Sequence, residues 1–291
     1  MCDELTNKDA DDYLRKQGLS RRDFNKRSAG VALSMLLPAV ANAVDVVEQD
    51  VMVETPDGMS DCYFVHPASG AHAAVIVWPD IVSIRPAFRA MGKRLAESGY
   101  SVLVVNPYYR TAKGQVVPDG KTFRDPGVRD LLMPHARSLS PETCVTDGKA
   151  YVKYLDQQDS VDTGRKIGTT GYCMTGSYTM RLAAAIPDRI GAGGSFHGGG
   201  LATDADDSPH LLASEMKAGF LIAIAENDDA RHPTEKGMLK EAFDNAGVKA
   251  EIEVYEGTQH GWCPPDSAVY NEEQAERAWT RLLALFEREL A

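Results

Sequence analysis

Ile167-Gly168-Thr169-Thr170-Gly171-Tyr172-Cys173-Met174-Thr175-Gly176 is the stretch that decides how this chain folds. Lys166 to Thr170 reads as a buried strand, the chain then passes through Gly-x-Cys-x-x-Gly, and Ser177 to Ile186 reads as a helix. A turn this sharp lifts Cys173 above the edge of a sheet, and Gly171 and Gly176, lacking Cβ atoms, let strand and helix cross closely. A lone cysteine is more often a small buried hydrophobe, so the reading depends on what surrounds the segment.

Outward from it, apolar runs of strand length alternate with amphipathic stretches from about residue 60 to the end. Ala73 to Trp78, closed by Pro79, and Ser101 to Val105, stopped by Asn106-Pro107, are predicted strands, as are Gly191 to Phe196, Phe220 to Ala225 and Ala250 to Tyr255. Helices are predicted at Pro86 to Ser98, Pro141 to Gln157, 234–246 and 267–290. Between Tyr108 and Pro141 the chain is rich in Gly, Pro, Asp and Arg without clear periodicity, and loops of that length in compact domains are usually lids or coverings. This alternation predicts an α/β fold: one domain with a mostly parallel central sheet and helices on both faces. No repeat or low-complexity linker divides it.

Two further segments complete a catalytic order. The strand ending at Ala225 runs into Glu226-Asn227-Asp228-Asp229, and the strand ending at Tyr255 runs into Gly257-Thr258-Gln259-His260-Gly261-Trp262. A loop histidine beside glycine just past a strand is poorly explained by packing. Nucleophile, acid and histidine after successive strands resemble the α/β-hydrolases, with Cys173 in place of the usual serine. Here Asp228 is the preferred acid, three residues past Ala225, and Asp229 is the alternative; one of the two belongs to a solvated turn. The acid would fix the imidazole tautomer, and His260 would shuttle the proton between thiol and leaving group. The pattern's second glycine, two residues after the nucleophile, is Thr175 here.

Gly171-Tyr172-Cys173, Gly257-x-x-His260-Gly261 and the C-terminal Glu276-Arg277-Ala278-Trp279 narrow the resemblance to the dienelactone hydrolase family, over roughly residues 50 to 290. The resemblance implies hydrolysis of an ester or lactone through a thioester acyl-enzyme, without a cofactor or metal. It implies that Asp80, in Trp78-Pro79-Asp80-Ile81, contacts the resting thiol, although the family's founding members have the longer Glu there. It also implies that the backbone N–H groups of Ile81 and Met174 hold the oxyanion. Substrates of the family carry a carboxylate, for which Arg110, beside Tyr109, is the substrate-binding candidate; Tyr108 and Tyr109 are read as pocket-lining or core-covering. The family's second arginine, four residues after the histidine, is replaced by Pro264.

Composition agrees with a small-molecule enzyme. The 291 residues are 43% hydrophobic and 25% charged, as in globular proteins, and a net charge of −11 opposes binding to nucleic acid over most of the surface. Five cysteines without a Cys-x-x-Cys pair exclude a disulfide scaffold and a zinc finger. Cys62 and Cys144 carry no motif, and Cys263 is read as packing. His197-Gly198-Gly199-Gly200 is read as room for the chain above the turn and Asp204-Ala205-Asp206-Asp207 as a solvated loop, with a metal site from these groups and His210 as the lesser alternative.

The N-terminus reads separately. Ser20-Arg21-Arg22-Asp23-Phe24-Asn25-Lys26, the apolar run from Ala29 to Val40 and Ala41-Asn42-Ala43 resemble a twin-arginine export signal. The run is too short to span a bilayer of roughly 30 Å, so no stable membrane anchor is expected. Cleavage after Ala43 divides the chain into a signal, 1–43, and a hydrolase domain, 44–291, that is periplasmic or secreted after meeting the twin-arginine translocase. The expectation is an exported cysteine hydrolase acting on a small-molecule ester or lactone. The alternatives are a peptidase or acyltransferase on the same fold and a non-catalytic periplasmic binding protein.

Overall fold

The computed structural model describes residues 4–16, 37–118 and 121–291. Ser20 to Lys26 and most of the apolar run behind it lie outside the described residues.

Eight strands form one sheet in the order β1-β2-β4-β3-β5-β6-β7-β8. They are β1 (Val46–Thr55), β2 (Gly58–Pro67), β3 (Ala74–Trp78), β4 (Ser101–Val104), β5 (Ile167–Tyr172), β6 (Ile190–Phe196), β7 (Gly219–Ala225) and β8 (Ala250–Tyr255). From β4 to β8 neighbouring strands are parallel, whereas β2 runs antiparallel to both β1 and β4. The single α/β domain with a mostly parallel sheet that the alternation predicts is therefore present.

Parallel strands covered on both faces are buried throughout, which is why they read as continuous apolar runs. Every residue of β3, β5, β6 and β7 is buried. Successive side chains point to opposite faces, so Ile76 and Trp78 join a core with Tyr151, Leu182 and Phe220, whereas Val75 and Val77 join one with Phe88, Leu95 and Phe286. A third, smaller cluster gathers Ile81, Tyr108, Val117, Val128 and Leu132 under the segment expected to be a lid. That segment is not wholly irregular, because Val128–Ala136 is helical.

Three further elements were not foreseen. The β1–β2 hairpin precedes the alternating pattern, and β1 is an edge strand whose VVEQDVMVET sequence leaves most residues exposed. The acid loop is a short helix, Glu226–Arg231. The acidic lead of the N-terminus is a helix, α1 (Glu4–Lys16), whose Ala10 and Leu14 are buried.

Candidate active site

The carboxyl ends of adjacent parallel strands carry the chemistry: Asp80 and Ile81 follow β3, Cys173 follows β5, Asp228 follows β7 and His260 follows β8. Open α/β sheets collect their functional groups at this edge because parallel strands bring all their carboxyl ends to one side.

Cys173 is the strained residue of the turn. Its φ of 57° lies in the left-handed region, which non-glycine residues adopt rarely and at a cost. The turn closes only because of the flanking glycines. A Cβ on Gly171 would lie 2.1 Å from the Thr175 carbonyl oxygen, and one on Gly176 would lie 2.5 Å from Ser195 Oγ and 2.6 Å from the Gly198 Cα.

Thr175, which departs from the glycine of the pattern, holds the turn instead of crowding it. Its Oγ1 accepts the Tyr172 N–H at 2.9 Å and faces the carbonyls of Trp78, Pro79 and Tyr172 at 2.9, 3.0 and 3.0 Å. One hydroxyl proton serves one of these oxygens at a time. Through it the end of β3, which carries Asp80 and Ile81, is tied to the end of β5, which carries the thiol.

His260 donates Nδ1–H to Asp228 Oδ2 at 2.7 Å, and its backbone N–H donates to Asn227 Oδ1 at 2.8 Å. Asp229 turns away and pairs with Lys236 at 2.7 Å. Of the two adjacent acids, the structure thus brings Asp228 to the imidazole. Nε2 is buried and makes no well-formed hydrogen bond, and the ring lies within the electrostatic reach of Cys173. Burial alone would lower the His260 pKa, but the charges of Cys173 and Asp228 together raise it to about 10. The imidazole is thus held toward its protonated form by the groups on either side of it.

Asp80 is held rather than free. Its carboxylate accepts the Val82 N–H at 2.9 Å and both terminal nitrogens of Arg85, at 2.7 and 3.0 Å, while Arg85 also reaches Asp266 at 2.6 and 3.0 Å. Burial pushes the Asp80 carboxyl above its usual range, Arg85 opposes this, and the Cys173 charge adds to it, which places Asp80 within the electrostatic reach of the thiol. No sequence spacing pointed to Arg85 or Asp266. Asp266 lies just past Pro264, so the guanidinium near this loop comes from Arg85, the residue capping the helix α2 (Pro86–Glu97).

His197 was also missed as a site residue. It is fully buried, its ring lies 5.1 Å from that of His260 at 68°, and neither ring nitrogen has a hydrogen-bond partner. Burial, reinforced by the His260 charge, drives its pKa well below the usual value. It is a neutral wall beside the imidazole. The metal alternative does not assemble: His210 bonds Ser208 Oγ at 2.8 Å, Asp204, Asp206 and Asp207 are exposed, and among the described residues no three potential ligands come together.

Arg110 and Tyr109 are placed differently from their substrate-binding expectation. Arg110 donates to Asp57 at 2.6 and 2.9 Å and to Asp147 at 2.6 and 2.8 Å, and Tyr109 Oη bonds Thr55 Oγ1 at 2.6 Å and Asp147 at 2.7 Å. Both are committed to a clamp between the β1–β2 turn and the helix Pro141–Leu155 that carries Asp147. Tyr108 Oη donates to the Ile81 carbonyl at 2.8 Å and so ties its own loop to the segment after β3. Cys62, Cys144 and Cys263 are buried thiols outside any disulfide, and burial pushes Cys62 up to about 12, so it is no competing nucleophile.

Fold and site together define an α/β-hydrolase with a cysteine at its nucleophile turn. The sequence pattern of the "Dienelactone hydrolase family" matches residues 60–290, and the chain belongs to that family. The chain is 25% identical over 237 residues to a carboxymethylenebutenolidase of Rhodococcus opacus, covering 78% of this chain and 86% of that protein. It is 27% identical to a putative carboxymethylenebutenolidase of Synechocystis, covering 78% and 91%. A putative dienelactone hydrolase from Klebsiella pneumoniae superposes with a TM-score of 0.71 at 21% identity, covering 84% of this chain and 99% of that one.

Proposed function

We propose that this chain is an exported cysteine hydrolase of carboxylic ester or lactone bonds, acting through Cys173, His260 and Asp228. The observation that carries the reading is the left-handed Cys173 at the strand end, electrostatically paired with an imidazole whose far nitrogen is fixed by Asp228. The lactone preference in the names of the relatives supports the choice of substrate class.

In the proposed reaction the Cys173 thiolate adds to the substrate carbonyl carbon, and the resulting oxyanion is met by the N–H groups of Ile81 and Met174. Each such donor contributes roughly 3 kcal/mol to acyl transfer. The tetrahedral intermediate collapses as His260 gives its proton to the leaving alkoxide, forming a thioester. A water then loses a proton to His260 and attacks the thioester, and the carboxylic acid departs as the thiolate is restored. Asp228 keeps the Nδ1 proton in place throughout. Arg85 acts through Asp80, holding that carboxylate beside the thiol.

Export is inferred from Arg21-Arg22, the apolar run and Ala41-Asn42-Ala43. A boundary at this point is supported by Ala41 to Ala43 being exposed and by Val44, whose N–H bonds the Glu97 carbonyl at 3.1 Å. Among the described residues no helix is long and apolar enough to cross a membrane.

The test is turnover of p-nitrophenyl acetate and of an unsaturated lactone by residues 44–291, which contain all eight strands. Wild type should release the acid from both, and Cys173→Ala should release it from neither. A retained rate in Cys173→Ala removes the mechanism.

A further inference from the structure

The helix α1 takes no part in the reaction proposed above, yet its polar contacts fall on both walls of the site. Asp9 accepts a hydrogen bond from Asn227 Nδ2 at 3.1 Å and pairs with Arg231, while Asp11 pairs with Arg124. Asn227 is the residue that accepts the His260 backbone N–H, and it stands next to Asp228. Arg124 belongs to the lid segment, where the adjacent Phe123 packs in the same cluster as Ile81 and Met174, the two oxyanion residues.

The arrangement around the helix is directional. At about 100° per residue, Asp9 and Asp11 lie about 200° apart, and Ala10 and Leu14 fall between them on one stripe. Ala10 and Leu14 are buried. Thr6, on the Asp9 side of that stripe, lies 3.5 Å from Arg231. The helix straddles the gap between lid and acid helix, with one acidic flank on each wall and its small apolar stripe turned inward. With the helix in place the reacting groups have almost no contact with water: Cys173 is 2% exposed and His260 7%.

We propose that the groove between Arg124 and Arg231 is a helix-binding surface whose occupant is the chain's own residues 4–16, and that this helix closes Cys173 to substrate until the leader is cut away. The chain would then be made with its site covered and would be uncovered by the cleavage that releases it. That consequence rests on the export and cysteine-hydrolase readings, whereas the covering itself does not.

Iodoacetamide alkylation of Cys173, followed by peptide mass spectrometry on the full-length chain, separates the two. Asp9→Lys/Asp11→Lys sets like charges against Arg231 and Arg124, and the loss of both ion pairs should speed alkylation by about tenfold or more. Adding Arg124→Glu/Arg231→Glu restores the pairs with reversed sign and should slow it again. Equal rates in wild type and the double variant overturn the proposal. A fast rate that the charge swap does not slow also overturns it, because the fold rather than the groove has then loosened. Hydrolysis of p-nitrophenyl acetate on the same samples should rise in step with alkylation. Faster alkylation with no hydrolysis in any sample retains the covering helix and removes the hydrolase reading.

Discussion

The Thr175 hydroxyl lies 2.9 Å from the carbonyl oxygen of Trp78, so the turn bearing the thiol is tied directly to the neighbouring strand that bears Asp80 and Ile81. Thr175→Val keeps the shape but removes the acceptor for the Tyr172 N–H and the donor to the strand ends. An unsatisfied buried group costs roughly 1–3 kcal/mol, so urea denaturation should show a loss of that size, and Thr175→Ser should recover most of it. Unchanged stability in Thr175→Val would mean that the hydroxyl holds nothing.

The charge on His260 gives a pH dependence with a definite sign. Burial opposes the imidazolium, but Cys173 and Asp228 raise its pKa from the ordinary value of about 6.5 to about 10. The protonated ring therefore adds stability that is complete below about 6.5 and is lost as pH rises through the folded pKa. Asp228→Asn removes one of the raising causes, so the folded pKa should fall and the window should narrow from its alkaline side. NMR titration of the His260 ring reads this directly, and an unmoved titration in Asp228→Asn contradicts the assignment of the acid.

Arg85 is buried between two carboxylates, Asp80 and Asp266. Arg85→Met leaves both without their cation, and breaking a buried pair by removing one partner typically costs about 3–5 kcal/mol. Because Arg85 lowers the Asp80 pKa, that carboxyl should also hold its proton to higher pH in the variant. Denaturation curves at neutral pH should show the loss, partly recovered in Arg85→Lys. A variant as stable as wild type would indicate that the network carries no weight.

Residues 1–45 fused to a folded reporter should direct it out of the cytoplasm while Arg21 and Arg22 are present, and Arg21→Lys/Arg22→Lys should retain it inside. Cell fractionation decides, and export of the double-lysine fusion contradicts the signal reading.

Legibility differed among these features for physical reasons. The strands β3 to β8 and the order Cys173, Asp228, His260 were readable because buried parallel strands are continuous apolar runs and their carboxyl ends share one edge. The β1–β2 hairpin was not, because an exposed edge strand has no apolar periodicity to detect. Asp228 and Asp229 are adjacent, and only the direction imposed by the Glu226–Arg231 helix sends one to His260 and the other to Lys236. Arg85 and Asp266 meet across most of the chain, and side-chain pairings at that separation leave no local pattern. Arg110 and Tyr109 fitted a pocket by position, yet Asp57 and Asp147, which claim Arg110, are distant in sequence. His197 was read with its glycine neighbours as room for the chain above the turn, and only the fold shows its buried ring standing as a wall beside His260.

Acylation of Cys173 tests the central claim most directly. Residues 44–291 mixed with p-nitrophenyl acetate and quenched in acid should yield the Cys173 peptide carrying an acetyl thioester, and Cys173→Ala should lose both the modification and the turnover. Turnover that persists in Cys173→Ala, with no acetyl group on the wild-type thiol, would contradict the cysteine mechanism.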